Sequence, residues 1–285
     1  MMKCGPVGVF DSGVGGFSVI NAMRRVLPFA PILSIADQAH VPYGGRPLEE
    51  INTYALGMTR YLVEKGCSAV VMACNISSAV ALDDAREAFP ELPIIGVIEP
   101  GAALAVQTTK NGRIGVLATV GTVRSGAYTQ ALIRVQSQAE TFEVACPNLV
   151  PLIERGDTAG SQAEREVRAV TEPLLKAEVD TIVLGCTHYP FLADVIQEIV
   201  GPSIRLVDPA EAVAQEVALR LQDCEEGWRS YLAESVYCTT GDLAHFKRQT
   251  RRLCMAEEGD FKVLTWDNGK LSDAPQFVKV PSNKG

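Results

Sequence analysis

Several features are scarce or missing in this sequence of 285 residues, and each absence excludes a class of protein. No run of about 18 apolar residues occurs, so we expect no membrane span. The chain opens without a long apolar segment, so we expect no secretory signal and a cytoplasmic location. Lys and Arg number 26 against 34 Asp and Glu, a net charge of −8. Such a chain has no basic excess to neutralise phosphates, and we expect no nucleic-acid partner.

Signatures of metals and common cofactors are missing as well. The chain has three histidines, and its eight cysteines include no C-x-x-C pair. We therefore predict neither a metal site nor a disulfide framework. The stretch "GVGGFS" has Ser18 where a dinucleotide-binding loop needs its third glycine. No Walker A or G-x-S-x-G sequence occurs either.

Short apolar segments alternate with amphipathic ones along most of the chain. The apolar segments fall at residues 7–10, 31–36, 69–73, 93–98, 113–118, 181–185 and 205–208. Such segments are typical of strands buried on both faces of a parallel sheet. Between them, residues 47–66 have a helical pattern with Ile51, Ala55, Met58 and Leu62 on one face. This alternation predicts an α/β fold with mostly parallel central sheets.

A weak internal repeat suggests two similar halves. Residues 7–15 resemble 114–122, and residues 69–75 resemble 181–187 at nearly the same spacing. We predict two pseudo-symmetric α/β domains with a site in the cleft between them. The first comprises residues 1–98 plus 208–285, and the second residues 99–207. Patterns shared by any two α/β units are the alternative explanation of the repeat.

Two cysteines occupy matching places in this repeat. Cys74 follows the apolar run in "VVMACNISSA", and Cys186 follows that in "TIVLGCTHYP". Ligands of open α/β sheets bind beyond the carboxyl ends of the strands, so both thiols can reach one ligand from opposite sides. Racemisation at a carbon acid needs a base on one face and a proton donor on the other. A thiol, with an ordinary pKa of about 8.5, can serve as either.

Further polar groups surround these thiols in the sequence. His188 lies two residues beyond Cys186, where it can activate that thiol. Asp11 ends the first strand, where it can take a proton from Cys74 or hold an ammonium group. Hydroxyls and an amide complete the set: Ser12, Asn75, Ser77, Ser78, Thr119, Thr122 and Thr187. These groups can bind carboxylates, or each can simply cap a helix.

The motifs that hold these residues resemble those of glutamate racemases, members of the aspartate/glutamate racemase family. "FDSGVGG", "VPYGG", "GVIEPGA", "VPLIERG" and "LGCTHYPFL" occur in the family's order and spacing, and the resemblance covers about residues 7–245. It implies two pseudo-symmetric α/β domains, often in a homodimer. It also implies interconversion of L- and D-glutamate by two thiols, without a cofactor or metal, to supply D-glutamate for peptidoglycan.

The resemblance also implies roles for individual residues. Cys74 acts on the D-enantiomer and Cys186 on the L-enantiomer. Asp11 and His188 assist their respective thiols, and Glu154 is a further acid near the first. The remaining positions hold the substrate together with Asp11 and His188: Ser12, Tyr43, Gly44, Asn75, Ile76, Thr119, Thr122 and Thr187.

One of these positions departs from the family pattern. The family has threonine after "ACN", whereas this chain has Ile76. If that threonine contacts the substrate carboxylate, its hydrogen bond is missing here, unless Ser77 replaces it. The departure motivates one alternative, a racemase of another acidic amino acid such as aspartate. A second alternative, of a different class, is a non-catalytic amino-acid-binding protein. The stretch at 272–285 predicts an extended or disordered end.

Overall fold

The structure, a computed structural model, describes residues 4–231, 234–253 and 259–274. Its strands are β1 (Val7–Asp11), β2 (Ile32–Ala36), β3 (Ala69–Met72), β4 (Ile94–Gly96), β5 (Arg113–Ala118), β6 (Glu140–Ala145), β7 (Thr181–Gly185), β8 (Arg205–Val207), β9 (Val236–Thr239), β10 (Asp260–Asp267) and β11 (Lys270–Asp273). Its helices are α1 (Phe17–Val26), α2 (Leu48–Glu64), α3 (Asn75–Ala88), α4 (Ile98–Thr108), α5 (Val120–Ser125), α6 (Ala127–Val135), α7 (Leu149–Arg155), α8 (Ser161–Lys176), α9 (Ala193–Val200), α10 (Pro209–Arg220), α11 (Glu225–Tyr231) and α12 (Leu243–Leu253).

These strands form two sheets. The first has the order β11-β10-β9-β2-β1-β3-β4 and the second the order β6-β5-β7-β8. All neighbouring strands run parallel except β10 and β11, which are antiparallel. The predicted α/β fold with mostly parallel sheets is therefore confirmed. The series β2-β1-β3-β4 and β6-β5-β7-β8 have the same order, so β1 corresponds to β5 and β3 to β7.

Four strands were not predicted from the sequence. They are β6, β9, β10 and β11. β6 is only partly buried and β10 alternates exposed with covered positions, so neither presents a continuous apolar run. β9 pairs with β2, which adds the C-terminal strands to the first sheet. The domain boundaries at 98 and 207 stay a prediction. Of the predicted extended end, residues 272–273 lie in β11, and residues 275–285 lie outside the described residues.

The helices follow from their apolar faces and their caps. In α2 the predicted face of Ile51, Ala55, Met58 and Leu62 is fully buried. Asp208 caps α10, because its Oδ1 accepts a hydrogen bond of 2.9 Å from the Ala210 N–H. The largest core cluster continues from the first sheet into the second, so the two sheets share buried apolar surface. Within the described part of the chain, no helix is long and apolar enough to cross a membrane.

Candidate active site

The central strands of both repeated units end at one cavity. Ser12 follows β1 and Cys74 lies two residues beyond β3, while Thr119 and Cys186 directly follow β5 and β7. All four residues line a cavity of about 310 Å³. Parallel strands direct their carboxyl ends to the same edge of a sheet, and here two such edges face each other. The structure thus brings Cys74 and Cys186 to a shared cavity.

Most residues predicted from the sequence line this cavity. They are Ser12, Tyr43, Gly44, Cys74, Asn75, Ile76, Thr119, Thr122, Cys186, Thr187 and His188. Residues that the sequence did not predict also line it: Val41, Pro42, Gly45, Val120, Cys146, Pro147, Val150 and Pro151. Most of these are apolar and follow β2 or β6, the outer strands of the two units. No Lys or Arg occurs among the described lining residues, so an anionic ligand meets amide, hydroxyl, imidazole and backbone donors.

Cys74 is a buried thiol at the start of a helix. It is the N-cap residue of α3, and its Sγ lies 3.8 Å from Ser12 Oγ. Burial is the main reason that the pKa of Cys74 is raised to about 11, and the nearby charge of Asp11 adds to the rise. Hydrogen bonds with Ser77 and Ser12 oppose it in part. Cys74 is therefore a protonated thiol at neutral pH, which is the form that donates a proton.

Cys186, His188 and Glu154 form a row of three ionisable groups in contact. The Cys186 Sγ lies 3.9 Å from His188 Nδ1, and His188 Nε2 lies 3.1 Å from Glu154 Oε1. Burial lowers the pKa of His188, but hydrogen bonds with Cys186 and Glu154 and the charges of Cys186 and Asp11 outweigh it and raise the pKa to about 10. The hydrogen bond to His188 lowers the pKa of Glu154. His188 is therefore an imidazolium at neutral pH, a cation that lies next to Cys186.

The structure shows a contact of Glu154 that the sequence did not indicate. The expectation that it is an acid near Cys74 stays a prediction, and its carboxylate hydrogen-bonds to His188, next to Cys186. Glu154 does not line the cavity. Its carboxylate contacts the site through His188, and this hydrogen bond raises the pKa of the imidazole.

Asp11 lies beneath the cavity rather than in its wall. Its Oδ2 accepts hydrogen bonds from the Gly13 and Gly16 N–H groups at 3.2 and 3.1 Å, and its Oδ1 accepts one from Thr187 Oγ1 at 3.3 Å. Burial raises the pKa of Asp11, while the positive charge of His188 opposes that rise. Within the described residues no hydrogen bond joins Asp11 to Cys74. Its charge nevertheless acts on both sides of the site, on Cys74 and on His188.

The glycines after β1 let the second half approach the first. A Cβ atom on Gly15 would lie 2.3 Å from Thr187 Oγ1 and 2.6 Å from His188 Nδ1. Any side chain at position 15 would therefore displace two residues that line the cavity. The sequence showed this glycine as part of "FDSGVGG", but not which residues it makes room for.

Ser78 and Thr119, two of the hydroxyls that the sequence left open, have structural roles. Ser78 lies inside α3, where its hydroxyl donates to Met72 O at 2.8 Å and accepts from the Val97 N–H at 3.2 Å. Ser77 is fully buried and does not line the cavity, so it does not replace a hydroxyl at position 76. Thr119 is both a cap and a lining residue, because its Oγ1 accepts a hydrogen bond of 3.4 Å from the Thr122 N–H.

The sequence analysis missed Asp37, a fully buried carboxylate behind the site. It accepts hydrogen bonds from the hydroxyls of Tyr43 and Thr240 at 2.6 and 2.7 Å and from Trp266 Nε1 at 2.8 Å. His40 Nδ1 lies 2.8 Å from its Oδ2. Tyr43 lines the cavity, whereas Thr240 and Trp266 belong to the C-terminal part of the chain. Asp37 therefore joins the C-terminal strands to the cavity wall.

Replacing Asp37 by alanine should destabilise the protein. The change leaves the buried Tyr43 hydroxyl and the half-buried donors of Thr240 and Trp266 without their acceptor, and an unsatisfied buried group costs about 1–3 kcal/mol. We expect the free energy of unfolding to fall by about 3 kcal/mol or more, measured by urea denaturation. Asp273→Ala is the matched control. That carboxylate also accepts from a tyrosine, Tyr61, but it is half exposed and its loss should cost about 1 kcal/mol or less. Equal effects would contradict the role given to Asp37.

Comparison with known proteins identifies the family. The model of the Asp/Glu/hydantoin racemase family matches residues 17–217. The chain belongs to this family. A glutamate racemase of Desulforudis audaxviator is 45% identical over 218 residues, which are 76% of this chain and 80% of that protein. The racemase fold extends over nearly the whole chain, as two solved structures show.

The first solved structure is a glutamate racemase of Bacillus anthracis, with a TM-score of 0.83 and 34% identity. The match covers 93% of this chain and 98% of that one. The second is a glutamate racemase of Francisella tularensis in complex with D-glutamate, with a TM-score of 0.83 and 26% identity. It covers 92% of this chain and 97% of that one. The protein is therefore an amino-acid racemase.

The geometry of the cavity suits the chemistry of such a racemase. Cys74 follows a strand of the first sheet and Cys186 follows a strand of the second, and both thiols line the cavity. A racemase needs one group to remove the α-proton and another to return a proton to the opposite face. The two thiols have different surroundings. Burial keeps Cys74 protonated, whereas an imidazolium lies beside Cys186.

Proposed function

We propose that this racemase interconverts L- and D-glutamate by a cofactor-independent mechanism with two thiols. The observation that carries the proposal is the pair of cysteines, Cys74 and Cys186, that follow corresponding strands and line one cavity. The curated relative and the two solved structures described above are glutamate racemases, and one of them holds D-glutamate. Together these findings support glutamate as the substrate.

The proposed reaction removes a proton from one face of the substrate α-carbon and adds a proton to the opposite face. With L-glutamate, the Cys186 thiolate takes the α-proton, so the Cα–H bond breaks, an S–H bond forms and a carbanion remains. The Cys74 thiol then gives its proton to the opposite face, which yields D-glutamate and a Cys74 thiolate. With D-glutamate the two thiols exchange roles. The imidazolium of His188, held by Glu154, stabilises the Cys186 thiolate, and the charge of Asp11 acts on both groups.

The remaining lining residues suit the binding of a dicarboxylate. Asn75 and the hydroxyls of Ser12, Thr119, Thr122 and Thr187 supply donors, and the Tyr43–Gly45 turn forms part of the wall. Donors of this kind bind carboxylates without a counter-charge when several converge. We propose that the product D-glutamate serves peptidoglycan synthesis. The cytoplasmic location, the homodimer and the absence of a cofactor and of a nucleic-acid partner stay predictions.

Proton NMR in D2O tests this function directly. Purified, reduced protein is incubated with L-glutamate, and the product is then separated on a chiral column. Loss of the α-proton signal with formation of D-glutamate is the expected result, because a proton returned from solvent-equilibrated thiols is replaced by deuterium. If a glutamate racemase run in parallel exchanges the proton and this protein does not, glutamate is the wrong substrate. Aspartate turned over faster than glutamate would establish the alternative.

Ile76 is the position at which substrate affinity should respond to a single change. It lines the cavity and packs with Tyr43, Ile51 and Cys74. Ile76→Thr adds a hydroxyl that can donate to a substrate carboxylate, and such a hydrogen bond contributes about 1.5–3 kcal/mol. We expect the KM for glutamate to fall by about tenfold or more, measured in a coupled assay of either direction.

Ile51→Thr provides the matched control for this change. Ile51 belongs to the same apolar cluster but does not line the cavity, so the same substitution should lower stability and leave KM unchanged. An unchanged KM in Ile76→Thr would contradict a contact between position 76 and the carboxylate. An equal fall in both variants would show that the effect arises from repacking of the cluster.

A further inference from the structure

Asn75 is the one side-chain amide among the described residues that line the cavity, and its orientation matters. An amide has an acceptor oxygen and a donor nitrogen, which are interchanged by a flip of the side chain. A carboxylate ligand is attracted by Nδ2 and repelled by Oδ1. Because no described lining residue is a Lys or Arg, each neutral donor carries a larger share of carboxylate binding here.

Tyr128 determines which end of that amide faces the cavity. It is fully buried on α6, and its hydroxyl donates to Asn75 Oδ1 at 2.7 Å. In the part of the chain that the structure describes, this is the hydroxyl's one hydrogen bond. A flipped amide would leave the buried O–H without an acceptor, which costs about 1–3 kcal/mol. The observed orientation leaves Nδ2 without a protein partner among the described residues and able to donate to a ligand.

The contact also links the two halves of the site. Asn75 follows Cys74 at the start of α3, in the unit of the first sheet. The Tyr128 ring packs against the end of β7, where a Cβ atom on Gly185 would lie 3.0 Å from Tyr128 Cε2. Gly185 directly precedes Cys186. Tyr128 thus lies against one cysteine-bearing segment and hydrogen-bonds to the other.

We infer that Tyr128 is a positioning residue that orients the Asn75 amide so that Nδ2 donates to a substrate carboxylate. The inference rests on the proposed function for the identity of the substrate, but not for the amide orientation itself. Tyr128 does not line the cavity, so it acts through Asn75. Its hydroxyl holds the amide both before and after proton transfer, and it should therefore affect binding more than the chemical step.

The kinetic test is Tyr128→Phe, alone and combined with Asn75→Ala. We expect the KM for L- and D-glutamate to rise about tenfold in Tyr128→Phe while kcat stays unchanged. In the Asn75→Ala background, Tyr128→Phe should cause no further rise, because the group through which it acts is absent. Tyr61→Phe removes the hydroxyl of another buried tyrosine, which bonds to Asp273 away from the cavity, and it should leave KM unchanged. A KM rise that persists in the Asn75→Ala background overturns the inference.

A second measurement keeps the test independent of the substrate. In a 15N–1H spectrum of the ligand-free protein, the Asn75 side-chain amide signals are identified by their loss in Asn75→Ala. They should shift or broaden in Tyr128→Phe, because the amide is then released, and stay in place in Tyr61→Phe. If they stay in place in Tyr128→Phe, the inference is wrong even if the protein racemises glutamate. If they move but wild-type protein does not act on glutamate, the amide orientation stands and the proposed substrate is wrong.

Discussion

Replacing either Cys74 or Cys186 by serine should lower kcat/KM for glutamate by on the order of 10³-fold or more. A hydroxyl is a far weaker acid than a thiol, so serine can neither take the α-proton nor be held as an anion at neutral pH. The equilibrium constant between two enantiomers in water is one. Each substitution must therefore lower kcat/KM equally in both directions, which chiral analysis of both reactions measures.

The two variants differ in one further respect. With Cys186→Ser the remaining thiol, Cys74, still faces the α-proton of D-glutamate, so slow exchange with deuterium and retained configuration is expected for that enantiomer. With Cys74→Ser the same is expected for L-glutamate. Cys238→Ala is the control, since Cys238 is buried in β9 and does not line the cavity. Turnover close to wild type in either serine variant contradicts the two-thiol mechanism.

Replacing His188 by glutamine should lower kcat/KM by on the order of 10²-fold at neutral pH. Glutamine keeps a hydrogen-bonding side chain but carries no charge to stabilise the Cys186 thiolate. The pKa of His188, about 10, lies above the ordinary value of 6.5. Its proton, and the stabilisation of the folded state that comes with it, are fully present below pH 6.5 and are lost as pH rises through about 10.

This titration predicts how wild type and variant differ across pH. The ratio of their kcat/KM values should be largest near neutral pH and should narrow as pH rises through about 10, where wild-type His188 also becomes neutral. The substrate's own ammonium group titrates equally for both proteins, so it cancels in the ratio. Glu154→Gln removes the carboxylate that holds the imidazolium, so His188 should lose its proton at lower pH. When both proteins also carry Glu154→Gln, the ratio of their kcat/KM values should narrow at lower pH. A ratio that stays constant with pH would contradict the charged role of His188.

The central strands and the thiols were predictable because their signals are local. A strand buried on both faces needs a continuous apolar run of a few residues, and β1, β3, β5 and β7 each have one. Cys74 and Cys186 follow two of these runs within two residues. The partly exposed strands β6 and β10 contain charged residues, so no continuous apolar run revealed them.

The amino-acid sequence alone therefore determined the α/β class, the repeat and the pair of thiols, since each is visible in short segments of neighbouring residues. The packing of distant segments determined the rest. Tyr128 reaches Asn75 across 53 residues, Glu154 reaches His188 across 34, and Trp266 reaches Asp37 across 229. Each of these contacts depends on where the two sheets and the C-terminal strands come to lie, and no local pattern encodes that. The two thiols can thus be identified in the sequence. The residues that orient the side chains of the site and set its charge come together only when the chain has folded.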